Sequence, residues 1–214
     1  MHDDKIIPAP VLRRLPTYLS YVKTLQKNGE EFVSSTKIAD YMGIDATQVT
    51  KDLSHTSLSG KTRVGYRVEN FVEILDDILG FNKINNAFIV GVGSLGGALL
   101  QDNGLQNFGL NIIKAFDNDK TKVGQKIKDI TILHIDEFRG MPKQHNVEIG
   151  IITVSAENAQ TIADLMVAWG IRAIWNFTPA RIKVPKYIVV ENTMIYTNLA
   201  ILFNKLSALQ VAGE

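Results

Sequence analysis

The first third of the chain carries apolar residues at steps of three and four, the spacing of helices with one buried face. One such stripe begins after Pro10 or Pro16 and ends at Asn28-Gly29. Its members are Leu12, Leu15, Leu19, Val22 and Leu25. A second, shorter stripe predicts a helix over Ser35–Met42, with Gly43 closing it. The pattern therefore predicts two amphipathic helices near the N-terminus.

A third helix is predicted from Asp45 to about Ser54, and most of its positions are polar. Asp45 stands three residues before Gln48, which is the arrangement of a capping box. Only Val49 and Leu53 remain to anchor this helix on a core. Two helices joined by a glycine-containing turn, the second of them polar outside, are typical of a helix-turn-helix. The alternative is a small helical adaptor with solvated charges.

A basic segment follows the third helix. Residues 60–68 alternate basic and apolar side chains between glycines, which predicts a short hairpin wing with cations for DNA phosphates. Residues 5–27 hold five bases and no acid, whereas residues 69–80 hold four acids and no base. We therefore expect a basic face that docks on DNA. The predicted DNA-binding residues are Arg13, Arg14, Ser35, Thr47, Gln48, Thr50, Lys51, Ser54, Lys61 and Arg63.

From residue 87 onward the pattern changes to almost continuous apolar runs that alternate with amphipathic stretches. The runs predict strands over residues 87–90, 110–116, 131–134, 147–154, 173–176 and 187–190. One intervening helix places Ile162, Leu165, Met166 and Trp169 on a single face. Strands without polar alternation, separated by helices, indicate a parallel sheet that is covered on both sides.

The predicted fold class is α/β with three parts. These are an N-terminal winged helix-turn-helix domain over residues 1–80, a Rossmann doubly wound parallel-sheet domain over residues 81–192, and a C-terminal apolar helix over residues 193–214. The last helix repeats leucine at positions 199, 202, 206 and 209. Because so apolar a helix must bury its face, we expect a homodimer formed through it. Such a dimer suits palindromic double-stranded DNA, since two recognition helices can enter successive major grooves.

A glycine-rich turn follows the first strand of the second region. Gly91, Gly93 and Gly96 have the spacing GxGxxG, a helix-like stretch follows, and Asp117 stands about twenty residues further on. The glycines permit a tight turn and a close approach of backbone amides to a pyrophosphate. The acid at the end of the next strand hydrogen-bonds a ribose 2′-hydroxyl and repels a 2′-phosphate. The pattern predicts an NADH/NAD+ site, although two lysines shortly after the acid soften the exclusion of NADP.

The ligand of such a sheet lies beyond the carboxyl ends of its strands. Two polar strand ends, residues 153–155 and 176–179, are therefore candidates for the nicotinamide half of the site, with ordinary loop capping as the alternative. The predicted cofactor-binding residues are Gly91, Val92, Gly93, Ser94, Leu95, Gly96, Asp117, Asn118, Thr153, Val154, Asn176, Phe177, Thr178 and Pro179.

Composition narrows the remaining possibilities. The net charge of +1 argues neither for nor against a nucleic-acid partner. Without cysteine there is no disulfide, thiolate metal site or thiol chemistry, so any response to redox state has to pass through a bound cofactor. No metal-ligand cluster is evident in the sequence. No apolar run reaches eighteen residues and the N-terminus has no secretory pattern, so we expect a soluble cytoplasmic protein without a membrane segment.

The main alternative function is a small NAD-dependent dehydrogenase. Such an enzyme needs a proton donor or acceptor beside the nicotinamide. His134, at the end of a predicted strand, is the candidate. No acidic partner for it and no second substrate domain are evident, so we predict a protein without catalytic residues.

Together these motifs resemble the Rex family of redox-sensing transcriptional repressors. The resemblance covers nearly the whole chain and rests most on Arg14-Leu15-Pro16, Val33-Ser34-Ser35, Lys51-Asp52-Leu53-Ser54, Gly65-Tyr66, the turn from Gly91 to Gly96, Ala115-Phe116-Asp117 with Val123-Gly124, and Asn176-Phe177-Thr178-Pro179. It implies a homodimer that binds operator DNA when NADH is low and releases it when NADH binds. It also implies that the subunits exchange their C-terminal helices, and that Lys51 is a basic position of the recognition helix.

The chain departs from the family's usual residues at several positions. Thr50 stands where a second basic residue is usual, and Arg63 stands where a wing glycine is common. Met194 replaces an acid at the start of the last helix, and Asn103 replaces a tyrosine found in some members. We therefore expect an altered operator preference and a coupling between NADH and DNA that is rewired or weaker.

Overall fold

The structure, a computed structural model, describes residues 7–212 and divides into two units, Met1–Lys83 and Ile84–Glu214. The first unit is mainly helical. Its elements are α1 (Ala9–Leu12), α2 (Leu15–Lys27), β1 (Phe32–Val33), α3 (Ser35–Met42), α4 (Ala46–Leu53), β2 (Tyr66–Arg67) and α5 (Val68–Ile78). Apolar faces of these helices form its core, which includes Leu15, Leu19, Val22, Ile38, Val49, Leu53, Phe71 and Leu75.

The first apolar stripe is divided between two helices. Leu12 ends α1 and is 39% exposed, so its place on the buried face of one long helix was wrongly predicted. The chain breaks at Arg13 and Arg14, and Pro16 lies in the first turn of α2, where its missing N–H costs no hydrogen bond. The second helix follows the prediction. Ser34 caps α3 by accepting from the Lys37 amide, and Gly43 ends it in the left-handed conformation.

Two local predictions for the DNA-binding region were wrong in detail. Asp45 caps α4 by accepting from the Thr47 amide at 2.7 Å, but Gln48 turns inward, so no capping box forms. The predicted short hairpin wing is reduced to a single turn without two strands of its own. Lys61 and Gly65 close a tight turn, and β2 pairs antiparallel with β1 instead of with a strand of its own hairpin.

The second unit is a doubly wound sheet. Its elements are β3 (Asn85–Val90), α6 (Ser94–Gln101), α7 (Gly104–Asn107), β4 (Leu110–Asp117), β5 (Lys126–Ile127), β6 (Ile130–His134), α8 (Met141–Gln144), β7 (Ile149–Ile152), α9 (Ala159–Ala168), β8 (Ala173–Asn176), β9 (Val189–Asn192) and α10 (Ile195–Ala212), with short 3-10 helices over Ile135–Phe138 and Ala156–Asn158. The strand order is β5-β6-β4-β3-β7-β8-β9. All neighbours from β6 to β9 are parallel, and β5 runs antiparallel at the edge.

The order places β3 at the topological switch point. Its chain neighbour β4 lies on one side and β7 on the other, so a crevice opens between the carboxyl ends of β3 and β7. Phe88, Phe116 and Phe138 pack edge to face or tilted in the layer beside this crevice. Predicted strand ends shift by a few residues: β7 is shorter than 147–154, and β9 begins two residues later than 187–190.

The last helix is exposed along its apolar side. Leu202, Phe203, Leu206 and Leu209 are each more than half exposed in α10. Within residues 7–212, no helix is both long and apolar enough to cross a membrane.

Candidate nucleotide cleft and DNA interface

The glycine turn between β3 and α6 is shaped by three different requirements. Gly91 has φ +97°, a conformation that L side chains rarely adopt. A Cβ on Gly96 would collide with the Gly91 carbonyl oxygen, so this glycine lets α6 pack on the turn. A Cβ on Gly93 would meet no protein atom within 4 Å. No side chain caps the amides at the start of α6, and the turn therefore leaves both space and hydrogen-bond donors for an anion.

Asp117 lies at the carboxyl end of β4 and is only 6% exposed. Its Oδ2 accepts from the Val92 amide at 2.7 Å and from Lys122 Nζ at 3.2 Å, and its Oδ1 accepts from the Asp119 amide at 2.9 Å. Burial alone raises the pKa of this carboxyl, but the two amides and the Lys122 ammonium outweigh it and hold the pKa below its usual range. The carboxylate is therefore ionised and fixes the glycine turn in place.

A cleft of about 730 Å³ opens at these strand ends. Six predicted cofactor-binding residues line it, namely Gly91, Gly93, Asp117, Asn118, Thr153 and Val154. The prediction missed much of the wall, which includes Lys122, Ile135, Asp136, Arg139, Ile162 and Leu165. Ile162 and Leu165 were predicted to share one face of a helix with Met166 and Trp169, and the first two of these residues also line the cleft. The cleft thus combines an apolar wall with an acidic and basic rim.

A second cavity of about 470 Å³ lies beside the first, and Thr153 and Val154 border both. It brings together the two predicted strand ends and part of the glycine turn, with Leu95, Thr153, Val154, Phe177, Thr178 and Pro179 in its lining. Met194 and Tyr196 line it as well and were missed. Thr153 Oγ1 donates to the Gly91 carbonyl at 2.6 Å, so this threonine also fixes the turn. The two cavities therefore adjoin at the carboxyl end of β7, where they share residues 153–155.

Asn176 has a structural role that the sequence did not suggest. Its side chain is fully buried, donates to the Ala180 carbonyl and to Asn192 Oδ1, and accepts from the amide and hydroxyl of Thr178. It lines neither cavity, and neither do Val92 and Gly96. These three residues support the backbone around the site and do not line it.

His134 is not placed as a proton donor would be. It caps the 3-10 helix Ile135–Phe138, and its amide donates to Glu137 at 3.1 Å. It lines neither of the two cavities. His134, the candidate proton donor of a dehydrogenase, is therefore not beside either cavity.

The outer face of α4 forms a shallow groove in the first unit. The groove measures about 490 Å³ and is lined by Ser35, Ala46, Thr47, Thr50, Lys51 and Ser54. Apart from Ala46, every lining residue was predicted to bind DNA. Val49 and Leu53 are buried on the other side of the helix. Hydroxyl groups and one ammonium on an exposed helix are suited to base edges and phosphates.

Two predicted DNA contacts are engaged inside the protein. Arg14 donates to both carboxylate oxygens of Asp52, from Nε at 2.6 Å and from Nη2 at 2.7 Å. Gln48 Nε2 donates to Asp52 Oδ1 at 2.7 Å. Hydrogen bonding to Asp52 raises the pKa of Arg14 above its ordinary value. The burial of Asp52 could not be predicted, because one acid in a polar helix gives no sign in the sequence of being buried.

The remaining predicted cations are available on the surface. Arg13, Lys61 and Arg63 are exposed. Arg63 adopts φ +65°, the left-handed conformation that glycine takes with least strain. The structure thus gives a physical reason why a glycine is favourable at this turn.

Two family models match the chain. "Putative DNA-binding protein N-terminus" matches residues 6–54, and "CoA binding domain" matches residues 82–180. Curated relatives named redox-sensing transcriptional repressor Rex match nearly the whole chain. The protein from Bacteroides thetaiotaomicron is 55% identical, over 94% of this chain and 91% of its own length. The protein from Treponema denticola is 39% identical, over 94% and 96% respectively.

Solved structures give the same result. The crystal structure of RSP in complex with β-NAD+ and operator DNA has a TM-score of 0.90 and 33% identity, covering 97% of this chain and 96% of that chain. The structure of RSP in complex with β-NADH has a TM-score of 0.87 and 32% identity, covering 97% and 98%. A further RSP structure is described as a Rex-family repressor. The chain therefore belongs to the Rex family of redox-sensing transcriptional repressors.

Proposed function

We propose that this chain represses transcription by binding operator DNA, and that NADH bound in the Rossmann cleft releases it. One observation carries the proposal: a cleft with an aspartate and a glycine turn for a dinucleotide, and a polar recognition helix, occur in one chain. Full-length relatives named redox-sensing repressors, and the RSP complexes with NADH, NAD+ and operator DNA, support the same combination. We assign the protein no catalytic role.

The cofactor spans both cavities in this proposal. The free amides at Gly93, Ser94 and Leu95 receive the pyrophosphate, because the start of α6 lacks a side-chain cap. Asp117 accepts from the adenosine ribose and repels a 2′-phosphate, which favours NAD over NADP. Thr153, Phe177 and Thr178 border the nicotinamide. The cofactor supplies the redox signal through its nicotinamide, and the protein supplies binding and orientation.

The groove on α4 reads the operator. Thr47, Thr50 and Ser54 donate their hydroxyl protons to Asp45 and to the carbonyls of Ala46 and Lys51, so their oxygens remain to accept from base-edge donors. Lys51 supplies a positive charge. The wing cations Lys61 and Arg63, with Arg13, neutralise phosphates. Arg14 and Gln48 act through Asp52, to which each of them donates.

A second copy of the chain covers the apolar side of α10. Leu199, Leu202, Leu206 and Leu209 are 39% to 71% exposed and recur at helical spacing, so residues 193–214 act as the dimerisation segment. The homodimer presents two recognition helices, and its operator is palindromic. Its location is the cytoplasm, where operator DNA and the NADH pool meet.

The decisive experiment is a pair of titrations with the full chain. The probe is the duplex that the protein enriches from a random-sequence pool, measured without cofactor and with saturating NADH. We expect NADH to weaken operator binding by about 10-fold, within the usual range of allosteric coupling. Linkage then requires the duplex to weaken NADH binding by the same factor. Unchanged operator affinity at saturating NADH would remove the sensing role, and NAD+ serves as the matched ligand control.

A further inference from the structure

Asp52 is the most extensively hydrogen-bonded buried charge in the described part of the first unit. It is 1% exposed. Its Oδ2 accepts from Arg14 Nε at 2.6 Å and from Tyr18 Oη at 2.7 Å, and its Oδ1 accepts from Arg14 Nη2 and Gln48 Nε2, both at 2.7 Å. Three side chains from two segments therefore converge on one carboxylate of α4.

Asp52 lies on the side of α4 that faces away from the groove. The buried residues of this helix are Val49, Asp52 and Leu53, and the groove is lined by Thr47, Thr50, Lys51 and Ser54. Each set follows helical spacing, so the two form complementary stripes. Any rotation of α4 about its axis moves both stripes together.

The helix α4 has few apolar anchors. The helix has only eight residues, and Val49 and Leu53 contribute burial that is not directional. The Arg14 guanidinium adds direction because it binds the Asp52 carboxylate in a planar, two-bond geometry. Tyr18 is fully buried, and its hydroxyl donates to Asp52 Oδ2, so it fixes the position of this carboxylate oxygen.

We infer that Asp52 is a positioning residue for operator recognition: its bonds to Arg14, Tyr18 and Gln48 set the rotation at which α4 presents its groove to base edges. This inference rests on the proposed DNA-binding function and adds a residue that never touches DNA. Base-edge hydrogen bonds depend on geometry, whereas phosphate attraction depends mainly on charge. Loss of Asp52 should therefore reduce sequence discrimination far more than general affinity for DNA.

The test compares Asp52→Asn with Asp76→Asn in the full chain. Both variants remove one negative charge from the same unit, and Asp76 pairs with Lys23 at 2.8 Å away from the groove. Binding is measured to the selected duplex and to a scrambled duplex of the same length. We expect Asp52→Asn to lower the ratio of the two affinities by about 10-fold, the effect of losing roughly one base-pair contact. Asp76→Asn should keep the parental ratio, and both variants should keep the same salt dependence on the scrambled duplex.

A second variant separates positioning from folding. Tyr18→Phe removes one bond to Asp52 at a site too buried to contact DNA, and we expect a smaller loss of discrimination, about 3-fold. If Asp52→Asn does not fold, as judged by circular dichroism, Tyr18→Phe decides the question. Parental discrimination in the folded variant would overturn the inference. A parent that binds NADH but has no preferred duplex would instead refute the proposed DNA-binding function.

Discussion

One buried carboxylate in each unit allows a direct comparison. Asp52 and Asp117 are 1% and 6% exposed, and each ends up with a pKa below its usual range although burial alone raises it. For Asp52 the compensation comes from side chains, with Arg14 first. For Asp117 it comes first from backbone amides and then from Lys122. Two buried carboxylates are therefore kept ionised by different kinds of hydrogen-bond partner.

The choice of partner corresponds to what each acid does. A carboxylate held by side chains of another segment fixes the relation between two helices, as Asp52 does for α2 and α4. A carboxylate held by the amides of its own loop and of the glycine turn fixes a binding site, and Asp117 also borders the cleft. A buried acid that is held by backbone amides beside a crevice is thus a better candidate for ligand binding than one that is held by side chains between two helices.

The largest expected effect is on stability. Asp52→Ala leaves the buried Tyr18 hydroxyl and part of the Arg14 guanidinium unpaired, so we expect a loss of about 3 kcal/mol. Asp117→Ala should cost about 1 kcal/mol, since cleft water can reach the freed Val92 amide. Urea unfolding followed by circular dichroism and by tryptophan emission separates the two. Both tryptophans, Trp169 and Trp175, lie in the second unit, so only Asp117→Ala should shift the emission transition.

The pH dependence provides the internal control for this contrast. Because the folded-state pKa of Asp52 is lowered, its contribution is present above the unfolded value of about 3.9 and is lost as the pH falls through the folded value. The unfolding free energies of the parent and Asp52→Asn should therefore converge at low pH. At high pH the parent should lose stability for a different reason. Burial raises the pKa of Tyr18 to about 12, so the unfolded chain loses this phenol proton at a lower pH than the folded chain does. A difference between the two proteins that stays constant below pH 4 would contradict an ionised Asp52.

The next effect concerns cofactor binding and involves only the second acid. Asp117→Ala should weaken NADH binding by about 1 to 3 kcal/mol, because a charged hydrogen bond to the ribose is lost. Asp119→Ala is the matched control, since Asp119 lies in the same loop at 3.8 Å from Lys122 but outside the cleft lining. Fluorescence titration measures both variants. If Asp117→Ala binds NADH as the parent does, the assignment of the cleft is wrong.

Asp117 could be predicted from the sequence and Asp52 could not. The spacing from Gly96 to Asp117 is set by a strand, a turn and a helix of nearly fixed length, so the acid's place in the fold follows from local structure. Asp52 sits in a helix where polar residues alternate with apolar ones, and periodicity does not tell a buried acid from a solvated one. Its burial depends on Arg14, which is 38 residues away.

The same reasoning explains which parts of the cleft were found. Apolar strands such as β3 and β7 are readable because a doubly covered sheet requires continuous hydrophobic residues. Arg139 and Ile135 come from the segment after β6, and Ile162 comes from α9, so only the strand order brings them to one wall. No motif marks such residues. The glycine turn and the strand ends of the cleft could therefore be predicted from the sequence, and the residues from α9 and from the segment after β6 could not.

The smallest expected effect comes from a second pair of features, the left-handed turns of the two units. Gly91 takes φ +97° without a side chain, whereas Arg63 takes φ +65° with one. Arg63→Gly should be about 1 kcal/mol more stable than Arg63→Ala, because only glycine relieves the left-handed backbone. Both variants remove one cation and should flatten the salt dependence of operator binding by about one phosphate contact. Equal stability of the two variants would mean that the left-handed backbone at Arg63 carries no strain. The glycine at position 91 would then be needed for the space it leaves to a ligand and not for its backbone conformation.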